Sequence, residues 1–142
     1  MYCVQEGKEG QIAALKRFIY MNILLADDET STTEPVSFVL RRSGHDVDVV
    51  HDGEDALSAL KKNPDRYQIL MTDHLMNKLS GLELVDQLRK TNFHGKIVVL
   101  SAFLTGELEA AYRKCGANKF ISKPFDIVDL RNAVAEIGAL PN

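Results

Sequence analysis

From residue 21 onward the chain alternates short apolar runs with longer segments of helical periodicity, and that alternation leaves few architectures open to it. Strands linked by crossover helices form parallel sheets covered on both faces, so each strand reads as an almost continuous apolar run. The runs lie at residues 21–26, 47–50, 67–72, 96–100 and 119–122, and three of them are nearly all apolar. The segments between them carry helix punctuation. Pro35 stands near the start of the first and Gly44 after its end, Gly53 precedes the second, Gly81 the third, and Gly116 follows the fourth. Pro suits a first helical turn and Gly the left-handed residue after a last one. Leu57 and Leu60 in the second helix, and Leu82, Val85 and Leu88 in the third, fall at helical spacing. In the fourth, Glu107 and Glu109 open the helix and Arg113 and Lys114 close it, each sign matched to the dipole. A fifth, from about Asp126 to Ile137, is expected to bury Ile127, Leu130, Val134 and Ile137. The predicted order is (βα)₅, an α/β domain around a central sheet.

The length of 142 residues suits one such domain, and 45% apolar with 26% charged residues is ordinary for a globular chain. A net charge of −3 gives no general electrostatic reason to bind nucleic acid or an anionic membrane. No apolar run approaches the ~20 residues of a membrane span. Lys16 and Arg17 interrupt the apolar stretch that a secretory signal would need, so a cytoplasmic setting is expected. Cys3 and Cys115 sit outside any metal or CxxC spacing and read as free thiols. Residues 1–20 stand apart as an N-terminal extension, with Ile12, Leu15, Phe18 and Ile19 spaced for one amphipathic helix. Two readings stay open for it: a segment upstream of a natural start at Met21, or a short docking or dimerisation helix.

Ligands of open parallel α/β sheets bind outside the carboxyl ends of the strands. At those ends the sequence places Asp27 and Asp28, Asp73, Ser101 and Lys123, every one polar. Three carboxylates brought together repel one another, which implies a compensating cation. Oxygen-only ligands favour a hard ion such as Mg²⁺, or Mn²⁺ in its place, which keeps sites for water and phosphate. Such a site is built to receive a phosphoryl group, with Lys123 neutralising oxygens and Ser101 donating a hydrogen bond. Asp73, alone on the central strand, is the candidate nucleophile.

The ordered set of Asp27-Asp28-Glu29 after Ile23-Leu24-Leu25, Asp73 with Met76 and Gly81 following, Leu100-Ser101-Ala102, and Phe120-Ile121-Ser122-Lys123-Pro124-Phe125 resembles the receiver domain of two-component response regulators. The resemblance covers about residues 21–140. It implies a flavodoxin-like, doubly wound sheet of order 2-1-3-4-5, with residues 21–142 as the receiver unit. It further implies Asp73 as phosphoacceptor, with Asp28, Asp73 and the backbone carbonyl of Leu75 as Mg²⁺ ligands. Asp27 would hold a metal-bound water, Ser101 and Lys123 would contact the phosphoryl group, and Ser101 with Phe120 would form a switch. The Lys123–Pro124 bond is expected to be cis. The implied partners are a histidine kinase or histidine phosphotransfer protein as donor, and a protein target meeting the fourth-helix face. Nucleic acid and membrane are not expected as direct partners. Asn77 departs from the pattern, which commonly has Pro there, and removes a stiffening ring but no reacting group.

Singly, each of these residues has a plainer reading: Asp27 or Asp28 as a helix cap, Asp73 and Ser101 as turn residues, Lys123 as a solvated lysine, Phe120 as core. Joint placement at four strand ends favours the functional reading for Asp27, Asp28, Asp73, Ser101 and Lys123, whereas Phe120 is a switch residue only by the resemblance. His45, His51, His74 and His94 lack ligand spacing and are expected in solvated loops, with His74 singled out because it follows Asp73. Tyr112 and Cys115 read as packing residues. With only residues 138–142 after the fifth helix, the expected output is binding of another protein or relay of the phosphate. A Mg²⁺-dependent phosphohydrolase is the alternative, weakened by the lack of an Asp-x-Asp motif and of a cap segment. A nucleotide- or flavin-binding domain would need a Walker A or GxGxxG run, and neither is present.

Overall fold

A computed structural model describes residues 20–140; the proposed N-terminal helix on Ile12, Leu15, Phe18 and Ile19, and Cys3, lie outside the described residues. Five strands, β1 (Asn22–Ala26), β2 (Asp46–Val50), β3 (Ile69–Asp73), β4 (Lys96–Ser101) and β5 (Lys119–Ser122), alternate with five helices. The helices are α1 (Thr30–Arg42), α2 (Gly53–Lys62), α3 (Gly81–Leu88), α4 (Gly106–Lys114) and α5 (Ile127–Gly138). The sheet is parallel throughout and runs β2-β1-β3-β4-β5, the order expected.

Side chains alternate across the sheet with period two and feed two cores. Ile23, Leu25, Ile69, Met71, Val98, Leu100 and Ile121 face α1 and α5, where they meet Leu40, Leu130, Val134 and Ile137. Leu24, Ala26, Leu70, Ile97 and Val99 face the other way, onto Leu60, Leu84, Val85, Leu88 and Tyr112 of α2, α3 and α4. Both layers being covered, β3 is buried along its whole length, which is why its sequence carries no polar face.

Helix ends follow from local chemistry. Gly44 (φ +98°) and Gly116 (φ +95°) close α1 and α4 in left-handed conformations. Each is followed by a residue whose N–H returns to the helix, His45 to the Leu40 carbonyl (3.1 Å) and Ala117 to the Tyr112 carbonyl (3.0 Å). Ser80 and Asp126 form capping boxes with Glu83 and Asp129 at the starts of α3 and α5.

Several boundaries differ from the sequence expectation. Pro35 lies inside α1, beyond its first turn, because the helix already begins at Thr30 on the Glu29 carbonyl. The ring removes one backbone bond at an exposed position. Tyr67 and Gln68 precede β3, whose pairing starts at Ile69 opposite Ile23, while Asp73 and Ser101 are drawn into their strands by pairing with Leu100 and Ser122. Gly53 and Gly81 are the first residues of their helices. Ile127, expected in the core, is 52% exposed: it is the first residue of α5, and Leu130, Val134 and Ile137 carry the buried stripe. Leu57 and Leu82 are half-buried at the edge of their cluster. Among the described residues no helix is long and apolar enough to cross a membrane.

These burials make a sharp contrast testable by urea denaturation. Leu24→Ala, at a site with no exposure, should cost about 2–5 kcal/mol. Ile127→Ala should stay within about 0.5 kcal/mol of the parent.

Candidate phosphoryl-acceptor site

The chain leaves β1 toward one edge of the sheet to form β2 and returns past it to form β3, so the carboxyl ends of β1 and β3 adjoin at the point where the order reverses. Asp27 follows β1 and is wholly buried, Asp28 beside it is exposed, and Asp73 ends β3 with 8% exposure. One carboxylate oxygen from each of the three lies within 4.8 Å of the others. Lys123, just after β5, extends its ammonium into this group, 2.9 Å from Asp27 Oδ2 and 3.5 Å from Asp73 Oδ2. Its backbone is anchored as well, its N–H donating to the Ser101 carbonyl at 2.9 Å. The Lys123–Pro124 peptide is cis, as expected.

Each buried oxygen has a defined partner. The Glu29 N–H donates to Asp27 Oδ1 at 3.0 Å, and the His74 N–H donates to Asp73 Oδ1 at 2.8 Å. Burial, followed by the negative charge of Asp27, holds the Asp73 carboxyl above its ordinary range, against the pull of Lys123 and the His74 N–H. Burial alone would lower the Lys123 ammonium, but its bond to Asp27 and the charges of Asp27, Asp73 and Glu29 outweigh it and push the pKa up. Lys123 is therefore a permanent cation at neutral pH. Ser101 is buried, and its Oγ accepts the Phe103 N–H at 3.2 Å, which leaves its own O–H to donate.

The donor set fits a hard divalent cation. It consists of oxygen donors only, and three carboxylates against one ammonium leave two negative charges to be met. Leu75 lies in the loop after β3 and is 68% exposed. In that loop Asn77 accepts the Leu79 N–H (2.8 Å), Lys78 takes a left-handed conformation (φ 69°), and its ammonium pairs with Asp52 at 3.5 Å. Asp52 also caps α2, accepting from the Asp55 N–H. These contacts tie the loop to α2 where the commoner proline would have stiffened it.

Phe120 is half-buried on β5, between the Tyr112 ring (centroids 6.1 Å apart, T-shaped) and the Arg113 guanidinium 4.8 Å over its face. Tyr112 is fully buried, as its reading as a packing residue implied, and Cys115 is a half-buried free thiol. The histidine expectation needs correction at two positions: His51 and His94 are exposed loop residues as expected, whereas His45 and His74 are half-buried. Met21 N–H donates to His45 Nδ1 (3.2 Å), His51 Nδ1 bonds the Asp27 carbonyl (3.1 Å), and His74 Nδ1 lies 2.7 Å from the Tyr112 hydroxyl. All three partners are 24 or more residues away, so no local sequence signal pointed to them.

Independent likenesses point the same way. The family model described as the response regulator receiver domain matches residues 23–135. Response regulator MprA of Mycobacterium avium is 34% identical over 110 residues, 78% of this chain and 47% of that protein. The uncharacterized transcriptional regulatory protein YkoG of Bacillus subtilis is 29% identical over 109 residues, 77% of this chain and again 47% of the relative. The chain thus spans about half the length of these curated relatives. Among solved structures, the receiver domain of the Francisella response regulator 1452 superposes with a TM-score of 0.75 at 29% identity, covering 83% of this chain and 96% of that one. Chemotaxis protein CheY4 of Vibrio cholerae gives 0.77 at 25% identity, covering 83% and 98%. With the motif order, the strand order and the acidic switch-point site in agreement with these likenesses, the chain belongs to the response regulator receiver domain family and is a phosphoacceptor signalling domain.

Proposed function

We propose that Asp73 is the phosphoacceptor and that residues 21–142 act as one receiver unit, with residues 1–20 as an extension outside it. The observation that carries this reading is the Lys123 ammonium shared between Asp27 and Asp73 at the switch point. Asp28, Asp73 and the Leu75 backbone carbonyl would hold Mg²⁺, with Asp27 positioned to hold a water on it; the ion would supply charge neutralisation at the phosphoryl oxygens. An Asp73 carboxylate oxygen attacks the phosphorus of a phosphohistidine on a kinase or phosphotransfer protein. The P–O bond forms as the P–N bond breaks, and the imidazole leaves with that electron pair. Lys123 draws on its permanent charge to stabilise the transferred group, and Ser101 donates its O–H to one oxygen.

The family signals and is not a classical enzyme, so the chemistry is confined to gaining and losing one phosphoryl group. The output we infer is a change in the α4 face, where Ser101 moves toward the phosphate and Phe120 takes the space it leaves, altering what a protein partner meets. The absence of direct contact with nucleic acid fits the charge of −3.

Incubation with acetyl phosphate and Mg²⁺ should add one phosphoryl mass to the chain, labile to hydroxylamine, and none to Asp73→Asn or to chain treated with chelator. Repeated turnover without a retained label would replace this reading with a phosphohydrolase.

The same site sets a pH dependence. Because the folded Asp73 holds its proton more tightly than the unfolded chain does, stability is lost as pH rises from the ordinary carboxylate range through the raised value. Without metal, Asp73→Asn should therefore melt higher than the parent at neutral pH, by a few degrees for each ~1 kcal/mol relieved. The gap should narrow on acidification toward about pH 4. Mg²⁺ should raise the melting temperature of the parent more than that of the variant; equal responses would remove Asp73 from the metal site.

A further inference from the structure

The Tyr112 side chain is the largest wholly buried on α4, and its hydroxyl lies 2.7 Å from His74 Nδ1 with the rings set edge to face at 5.6 Å. The space it enters is kept open by Gly81: a side-chain carbon built there would lie 2.6 Å from the Tyr112 hydroxyl and 2.3 Å from the Asp73 carbonyl oxygen. The tip of Tyr112 therefore reaches beneath the end of β3, beside the backbone of the acceptor. His74 is held there from two sides, since its carbonyl accepts the Gly81 N–H (2.9 Å) and its own N–H donates to Asp73 Oδ1 (2.8 Å). An unbroken set of hydrogen bonds thus leads from the Asp73 carboxylate through the His74 peptide and ring to α4. On its other flank Tyr112 packs against Phe120, whose outer face Arg113 covers.

We propose that His74 and Tyr112 are a positioning pair, a latch through which the state of Asp73 sets the placement of α4. This rests on Asp73 being the phosphoacceptor. As a free carboxylate, Asp73 offers the His74 N–H a charge-assisted bond, of the stronger kind. Joining one of its oxygens to phosphorus removes the carboxylate charge and weakens that bond. The His74 peptide is then released to shift, its ring shifts with it, and the ring's partner is on α4. Phosphorylation reaches the α4 surface by this route as well as through Ser101 and Phe120. The latch differs from a mere fastening of the helix. Arg89 also fastens α4, its guanidinium donating to the Lys114 carbonyl at the far end, but it has no bond to the acceptor loop.

The test is hydrogen exchange of residues 106–115 in the full chain, before and after acetyl phosphate and Mg²⁺, with mass measurement of the label. In the parent, phosphorylation should change exchange in this segment. Tyr112→Phe and His74→Leu should each take the label yet shrink that change about fivefold or more, the scale of a typical coupling between sites. The double variant should lose no more than either single one, because both break the same bond. Arg89→Ala, which loosens the same helix elsewhere, should keep the response. A full response in Tyr112→Phe, a Tyr112→Phe chain that takes no label, or a response lost equally in Arg89→Ala would overturn the latch. A labelled parent whose α4 does not respond would overturn it too, leaving the acceptor reading intact. A parent that never gains the label overturns the acceptor reading first, and the latch with it.

Discussion

Two buried carboxylates stand side by side at the ends of β1 and β3, and the Lys123 ammonium between them is the interaction on which the site depends. A charge taken out of water is costly unless it is paired and hydrogen-bonded. Asp27 meets that condition with a backbone N–H on one oxygen and Lys123 on the other. Asp73 meets it less fully, with the His74 N–H and a longer approach from the same ammonium. The imbalance leaves Asp73 the less comfortable ion of the two. A group held in that state gains from a nearby divalent cation.

The rest of the fold serves that arrangement. The parallel order places β1 beside β3, so the two aspartates adjoin although 46 positions separate them in the chain. Lys123 comes from the outer strand β5 and reaches inward across β4, steadied by its N–H on the Ser101 carbonyl. The loop after β3 is closed down onto α2 by Lys78 and Asn77, and onto α4 by His74. Glycines at the starts of α2 and α3 permit both approaches, since a side chain at either would collide with backbone.

Much of this was legible in one dimension. Unbroken apolar runs announced strands covered on both faces, and glycines after helices marked the turns now seen at Gly44 and Gly116. Polar residues closing strands drew attention to Asp27, Asp28, Asp73, Ser101 and Lys123 together. What misled was equally local. Pro35 suggested a later helix start than the one the Glu29 carbonyl dictates, and periodicity placed Ile127 in a core that α5 reaches only one turn further on. His45 and His74 are half-buried where their loop positions read as solvated, because their partners lie at least 24 residues away.

By itself, then, the sequence determined the layered parallel sheet and the chemical kinds gathered at its edge, because hydrophobic periodicity and strand-end polarity are properties of neighbouring residues. Only the tertiary structure decided how the charges are shared, which carboxylate is buried deepest, and that His74 meets Tyr112 beside Asp73. Burial and pairing distances depend on which strands and loops come to adjoin, and no short stretch of chain contains that information.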